Sequence, residues 1–155
     1  TLIYPESYRL ELPMSPHEAA RKENVDIELK KIELPQKKNI IIEGAGGVLV
    51  PLNYKGDLMI DMAKKFNARI IVVFKNYLGS INHTILTIQQ LKSYGLCILG
   101  SIVIGDRLAS SENIIQSVTK TKIIGHIPYT SDLNEKWILQ QANLIGKALK
   151  SELIL

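Results

Sequence analysis

Three stretches of this chain combine residue types that could hold an anion, a metal ion or a planar ligand. In the first, Glu43-Gly44-Ala45-Gly46-Gly47 follows the apolar run Ile40-Ile41-Ile42. A carboxylate at the tip of a buried strand is costly unless it holds a metal or a hydrogen-bond network. The glycines behind it would let backbone N–H groups approach a phosphate closely. The same residues also suit a tight turn with Glu43 solvated at its end, and local pattern does not separate the two. A dinucleotide fingerprint is excluded, because Leu49 stands where its third glycine would fall.

The second stretch, Asn76-Tyr77-Leu78-Gly79-Ser80-Ile81-Asn82-His83, reads as a loop feeding a helix. Unpaired N–H groups and the positive end of the dipole at such a start can receive a carboxylate. Taken alone, a surface helix capped by Ser80 is the plainer reading. In the third, His126-Ile127-Pro128-Tyr129 runs a strand into a proline turn where a planar base could lie. His17, His83 and His126 are far apart and show no metal-ligand spacing, so structural roles are expected. No Ser-His-Asp order, no HExxH and no cysteine pair is present. Gly146-Lys147 is followed by Ala148 and does not make a Walker A loop.

Four apolar runs must position these groups: Ile40 to Ile42, Ile70 to Phe74, Ile98 to Ile104, and Ile123 to Ile127. They do not alternate with polar residues, so they read as strands buried on both faces. Between them lie helical patterns at Asp57 to Phe66, Ile81 to Tyr94 with Gly95 as a left-handed cap, and Ser111 to Lys120. From Asp132 onward, Trp137, Ile138, Ala142, Ile145 and Leu149 share one helical face. Earlier, Ser15-Pro16-His17-Glu18 predicts a helix start with a capping box and a Met14–Ala19 staple, and Asp26 to Glu33 predicts an exposed helix. Strand alternating with helix predicts an α/β fold, a mostly parallel sheet with helices on both faces.

With 155 residues the chain has the size of a single domain, 1–155. Apolar residues at 46% and charged residues at 22% fit a globular protein rather than a disordered or fibrous one. Its apolar runs fall far short of a membrane span, no leader pattern opens the chain, and Cys97 has no disulfide partner and is expected to pack as a small hydrophobe. A cytoplasmic location is expected. The net charge of +4 is spread over short groups such as Lys30-Lys31, Lys37-Lys38 and Lys64-Lys65, without interleaved aromatics. Nucleic-acid binding is therefore not expected. Thr1 in place of Met suggests a trimmed front.

Read in order, the motifs resemble the dethiobiotin synthetase family, from the P-loop NTPase superfamily. Tyr8 to Ala20, with its Ser-Pro-His, is similar to one family segment, and Glu43 to Gly47 with Val48-Leu49-Val50-Pro51-Leu52 is similar to its Glu-Gly-Ala-Gly-Gly strand end. Leu78-Gly79-Ser80-Ile81-Asn82-His83-Thr84 with Leu86-Thr87 resembles its Ile-Asn-His helix start, and Gly125 to Tyr129 its Gly-x-Ile-Pro turn. The resemblance implies a P-loop NTPase-like fold and an ATP- and Mg²⁺-dependent reaction that joins 7,8-diaminopelargonate and CO2 into dethiobiotin. It makes Glu43 a Mg²⁺ ligand. It places Glu43, Gly44, Ala45, Gly46, Gly105, Asp106, Ile127, Pro128 and Tyr129 around ATP. It gives Gly46, Gly47, Gly79, Ser80, Ile81 and Asn82 to the substrate, the last four reaching across a homodimer interface. Where the family usually carries an Asn before Asp106, this chain has Gly105. The family's P-loop strand, its catalytic lysines and a metal-binding aspartate do not map onto the chain, so the 155 residues alone are expected neither to turn over nor to be very stable. Three readings stay open at this point: part of a longer synthetase, a split-enzyme subunit, or an inactive remnant that binds or scaffolds. An ATP-dependent cobyrinate amidase is a more distant one.

Overall fold

A computed structural model describes residues 4–37 and 39–153. Thr1 and Lys38, read above as the opening residue and as half of a basic pair, lie outside the described residues. The chain forms two compact units, Thr1–Phe66 and Asn67–Leu155.

In the first unit, helix α1 (Pro16–Lys22) begins after Ser15, with Pro16 in its first turn as the sequence predicts. Ser15 makes no side-chain capping bond, so the predicted capping box does not form. Glu18 turns instead to Arg21, its Oε1 2.6 Å from Nη2, and to the Tyr54 hydroxyl at 2.9 Å. The helix stops at Asn24, which takes the left-handed conformation while the Val25 N–H closes on the Ala20 carbonyl at 2.8 Å. Ala20, Ile27 and Leu52 then form a small core ringed by Tyr8, Leu10, Val25, Leu29, Ile32, Met59 and Met62. Only a 3₁₀ turn, Leu29–Lys31, appears where an exposed helix is predicted over Asp26 to Glu33. The Lys65 ammonium donates to the carbonyls of Leu29, Lys30 and Ile32, which stops the turn from propagating. Helix α2 (Met59–Lys65) closes the unit.

The predicted strand over Ile40 to Ile42 is also absent. These residues have no regular structure, and Ile41 is 99% exposed. A strand exists by pairing its N–H and C=O groups with a neighbour, and among the described residues none is paired to this run.

The second unit is a three-stranded parallel sheet, β1 (Ile70–Lys75), β2 (Ile98–Ile104) and β3 (Ile123–Ile127), in the order β1-β2-β3. Helices α3 (Ser80–Ser93), α4 (Ala109–Thr119) and α5 (Glu135–Leu153) link and cover it. This is the α/β fold the sequence predicts. Gly95 ends α3 with φ +72°. Its N–H bonds to the Lys92 carbonyl at 2.9 Å and that of Leu96 to the Leu91 carbonyl at 3.1 Å, the double closure a left-handed glycine permits. Cys97, two residues further on, is exposed rather than packed, because the turn from α3 into β2 runs along the surface.

Register defines the two faces. Val73, Ile102 and Gly125 lie side by side on one of them. There α5 covers Gly125, where an added Cβ would come 3.1 Å from Ile145 Cγ1. At β1 the same face is open, and Val73 is half exposed. Val72, Ser101 and Val103 are buried on the other face, and Ile88 and Leu91 of α3 and Ile115 of α4 are buried as well. The pairing carries two irregularities. Leu99 is an extra residue on β2 opposite β1, and Ile124 is an extra residue on β3 opposite β2. Ile124 occupies the space beside Gly100, where a Cβ would meet its Cγ2 at 2.6 Å.

Candidate functional site

In the first unit the glycine stretch is an exposed loop. Glu43, Gly44, Ala45, Gly46 and Gly47 are all exposed, so the Glu43 carboxylate is solvated rather than buried. Gly46 and Gly47 have φ of +76° and +113°, conformations that side chains disfavour. At Gly46 a Cβ would also strike Val50 Cγ2 at 2.9 Å. The loop is tied down on its far side. Val50 N–H bonds to the Gly47 carbonyl at 3.3 Å, while Met59 and Ile60 N–H bond to the carbonyls of Val50 and Val48 at 2.9 Å each. The first amides of α2 are thus spent on the chain that follows the glycines. What the loop offers an anion is its own backbone. Among the described residues no group of three or more His, Cys, Asp or Glu side chains gathers to hold a metal. Mg²⁺ does not demand one, since it keeps several waters and takes one or two carboxylates plus substrate phosphates. An exposed Glu43 beside a glycine loop fits that donor set.

In the second unit the carboxyl ends of the strands carry the rest. This is the side where open parallel sheets bind ligands. After β1, Gly79 takes φ +99° and sits at the N-cap of α3, where the residue pattern predicts Ser80. Ser80 is instead the first helical residue, buried, with its N–H donated to the Tyr77 carbonyl at 2.9 Å. Ile81 and Asn82 follow in the first turn, whose amides an α-helix leaves without internal partners. Leu78 at the tip is fully exposed. The Tyr77 hydroxyl and His83 Nδ1 share a hydrogen bond of 2.6 Å across the turn.

After β2, Gly105 (φ +80°) is gripped from β3 on both its polar groups. Its N–H donates to the Ile127 carbonyl at 2.8 Å, and His126 donates from Nε2 to its carbonyl at 2.5 Å. The ring of Tyr129 lies against its Cα, so that a Cβ there would fall 2.3 Å from Cε2. Tyr129 is otherwise exposed, as is Pro128, while Ile127 is half-buried. Gly105, Ile127 and Tyr129 therefore come together, with Pro128 between the last two in the chain and an aromatic ring where a side chain at 105 would stand. His126, read as structural, has a structural bond here.

A cluster the sequence reading missed lies beside them. Glu112, in the first turn of α4, is 1% exposed. Its carboxylate accepts from Arg107 Nε at 2.6 Å, from the Leu108 N–H at 2.9 Å and from Asn76 Nδ2 at 3.3 Å. Asn76 Nδ2 also donates to the Asp106 carbonyl at 2.9 Å. Burial pushes the Glu112 carboxyl up, but the Arg107 guanidinium, the Leu108 N–H and Asn76 outweigh it and hold the group below the usual carboxylate range. Arg107, five residues before Glu112, was the available signal. It was obscured because the helix reads from the sequence as starting at Ser111.

These features define an α/β domain built on a parallel sheet, and the AAA domain family matches residues 1–136. A protein of Cytophaga hutchinsonii named ATP-dependent dethiobiotin synthetase BioD is 46% identical over 129 residues, covering 82% of this chain and 62% of that protein. Proteins of the same name from Christiangramia forsetii and Novosphingobium aromaticivorans are 37% and 36% identical, over 96% and 89% of this chain. The chain belongs to the dethiobiotin synthetase family. It spans 62%, 72% and 66% of the length of these three relatives. Among the described residues no helix is long and apolar enough to cross a membrane.

Proposed function

We propose that this chain serves an ATP-dependent dethiobiotin synthetase of biotin synthesis. One amine of 7,8-diaminopelargonate takes up CO2 as a carbamate, and the γ-phosphate of ATP activates it as a mixed anhydride. The second amine then attacks the carbonyl carbon and closes the ureido ring, releasing phosphate and leaving ADP. The observation that carries this reading is the 46% identity to a relative of that name. The glycine loop of the first unit and the strand-end loops of the second supply groups of the right chemistry. Glycine amides at Gly44 to Gly47 suit phosphate and diamine, and Glu43 would hold Mg²⁺, which neutralises phosphate charge when bound. Gly105, Asp106, Ile127, Pro128 and Tyr129 would border the base. The start of α3, Gly79 to Asn82, would take the substrate's tail carboxylate across a homodimer interface. A split-enzyme subunit or binding module is the second reading, favoured by the unpaired apolar run Ile40 to Ile42.

The test is turnover and binding in the full-length enzyme. Glu43→Gln should lose most activity with ATP and magnesium, on the order of several kcal/mol of transition-state stabilisation. Asn82→Ala should weaken diaminopelargonate binding and leave ATP binding nearly intact. Near-normal turnover by Glu43→Gln removes Glu43 from the site, and a fully active monomer in sedimentation removes the shared carboxylate site.

A further inference from the structure

Glu112 touches three segments of the second unit at once. It holds the turn after β1 through Asn76, the loop after β2 through Arg107 and the Leu108 N–H, and its own helix start on α4. Asn76 extends the tie to the Asp106 carbonyl, and Gly105 next to it is bonded to β3 through Ile127 and His126. A continuous line of hydrogen bonds thus crosses the carboxyl ends of all three strands. Both segments given ligand roles above hang from it: Gly79 to Asn82 three residues beyond Asn76, and Gly105-Asp106 directly.

Asn76 spends its amide N–H on two oxygens in different segments, the Asp106 carbonyl and the Glu112 carboxylate, and its Oδ1 is buried without a partner among the described residues. Arg107, with its side chain 54% exposed, neutralises the carboxylate from the solvent side. The carboxylate therefore stays ionised and acceptor-only in the interior.

Resting on the nucleotide and carboxylate roles proposed above, we infer that Glu112 and Asn76 are positioning residues. They fix the base-bordering loop and the start of α3 as one rigid body, so that ordering either segment orders the other. Neither residue is among those given ligand roles above.

The experiment uses the full-length enzyme and reads two quantities: ATP affinity with magnesium by calorimetry, and amide hydrogen exchange. In both Glu112→Gln and Asn76→Ala, ATP binding should weaken about tenfold. Exchange at residues 76–80 and 105–108 should rise together, while the centre of β2 stays protected. Glu112→Asp, which keeps the charge, should recover part of the affinity. Should Glu112→Gln fail to fold, Asn76→Ala decides alone, since it leaves the Arg107–Glu112 pair in place. A folded Asn76→Ala with unchanged affinity and exchange confined to 76–80 overturns the inference. So does loss of protection spread through the whole sheet, which would mark a structural role only. A full-length wild-type enzyme that takes up no ATP would instead sink the nucleotide reading, and the joint rise in exchange would still decide the coupling.

Discussion

Ile40-Ile41-Ile42 and Ile102-Val103-Ile104 are nearly the same sequence with opposite fates. The first has no regular structure, with Ile41 wholly in solvent; the second is the middle of a sheet, with Val103 wholly buried. Side-chain preference for strand is equal in the two, so propensity does not separate them. Neighbours do. Ile102 to Ile104 have β1 on one side and β3 on the other, while no strand is paired to Ile40 to Ile42 among the described residues. An apolar run encodes a capacity for pairing, and whether it becomes a strand depends on what lies beside it.

Core truncation is the strongest way to break this contrast. Ile102→Ala should lower stability by about 2–5 kcal/mol, because the surrounding side chains close the cavity only in part. Ile41→Ala should stay within about 0.5 kcal/mol. Chemical denaturation of the whole chain measures both. Equal losses at the two positions would show that Ile41 is packed in solution.

A smaller effect is expected at the edge of the buried region. Gly105→Ala should cost about 1–2 kcal/mol for the left-handed backbone alone, and it should drive the Tyr129 ring off its seat. Thermal melting gives the first quantity, and near-ultraviolet circular dichroism at the tyrosine band gives the second. An unchanged tyrosine signal would mean that the ring does not rest on Gly105.

The smallest effect is in acid. Glu112 and Glu18 both pair with an arginine, one buried and one at the surface. For Glu18, the Arg21 guanidinium first and the Tyr54 hydroxyl second hold the carboxyl down to about 2. A depressed carboxylate adds stability above its unfolded value and loses it as pH falls through the folded one. Below about pH 4.5 the wild-type chain should therefore lose stability, and Glu112→Gln should flatten that slope. Glu18→Gln should change it little, because water screens an exposed pair. Melting temperatures from pH 6 down to about pH 3 give the comparison, and a steeper slope for Glu112→Gln would reverse the assignment.

The second unit was legible in the sequence because its signals are local. Helical spacing gave α3, α4 and α5 to within a few residues, and Gly95 gave the end of α3, since each depends on residues a turn apart. The glycines at 46 and 47, both with positive φ, were also marked out as a run that lets the backbone turn, while Gly79 and Gly105 were singled out by the family resemblance alone. Illegible features were those set by partners distant in the chain. Lys65 reaching back to Leu29 stopped a predicted helix, and Asn76 meets Asp106 thirty residues on. A buried carboxylate such as Glu112 looks like any acidic residue in a helix's first turn until the fold surrounds it.

Gly100 and Ile124 work as a keyed joint. Parallel strands as uniformly aliphatic as β2 and β3 offer several alignments of similar burial, and a slip by one residue would turn every side chain to the other face. Ile124 protrudes as the extra residue of β3, and the space it needs exists only where β2 lacks a side chain. Shifted by one position, Ile124 would meet Leu99 or Ser101, either of which carries a Cβ in its way. One empty Cβ position thus discriminates against misaligned pairings by local fit, independently of the helices that cover the sheet.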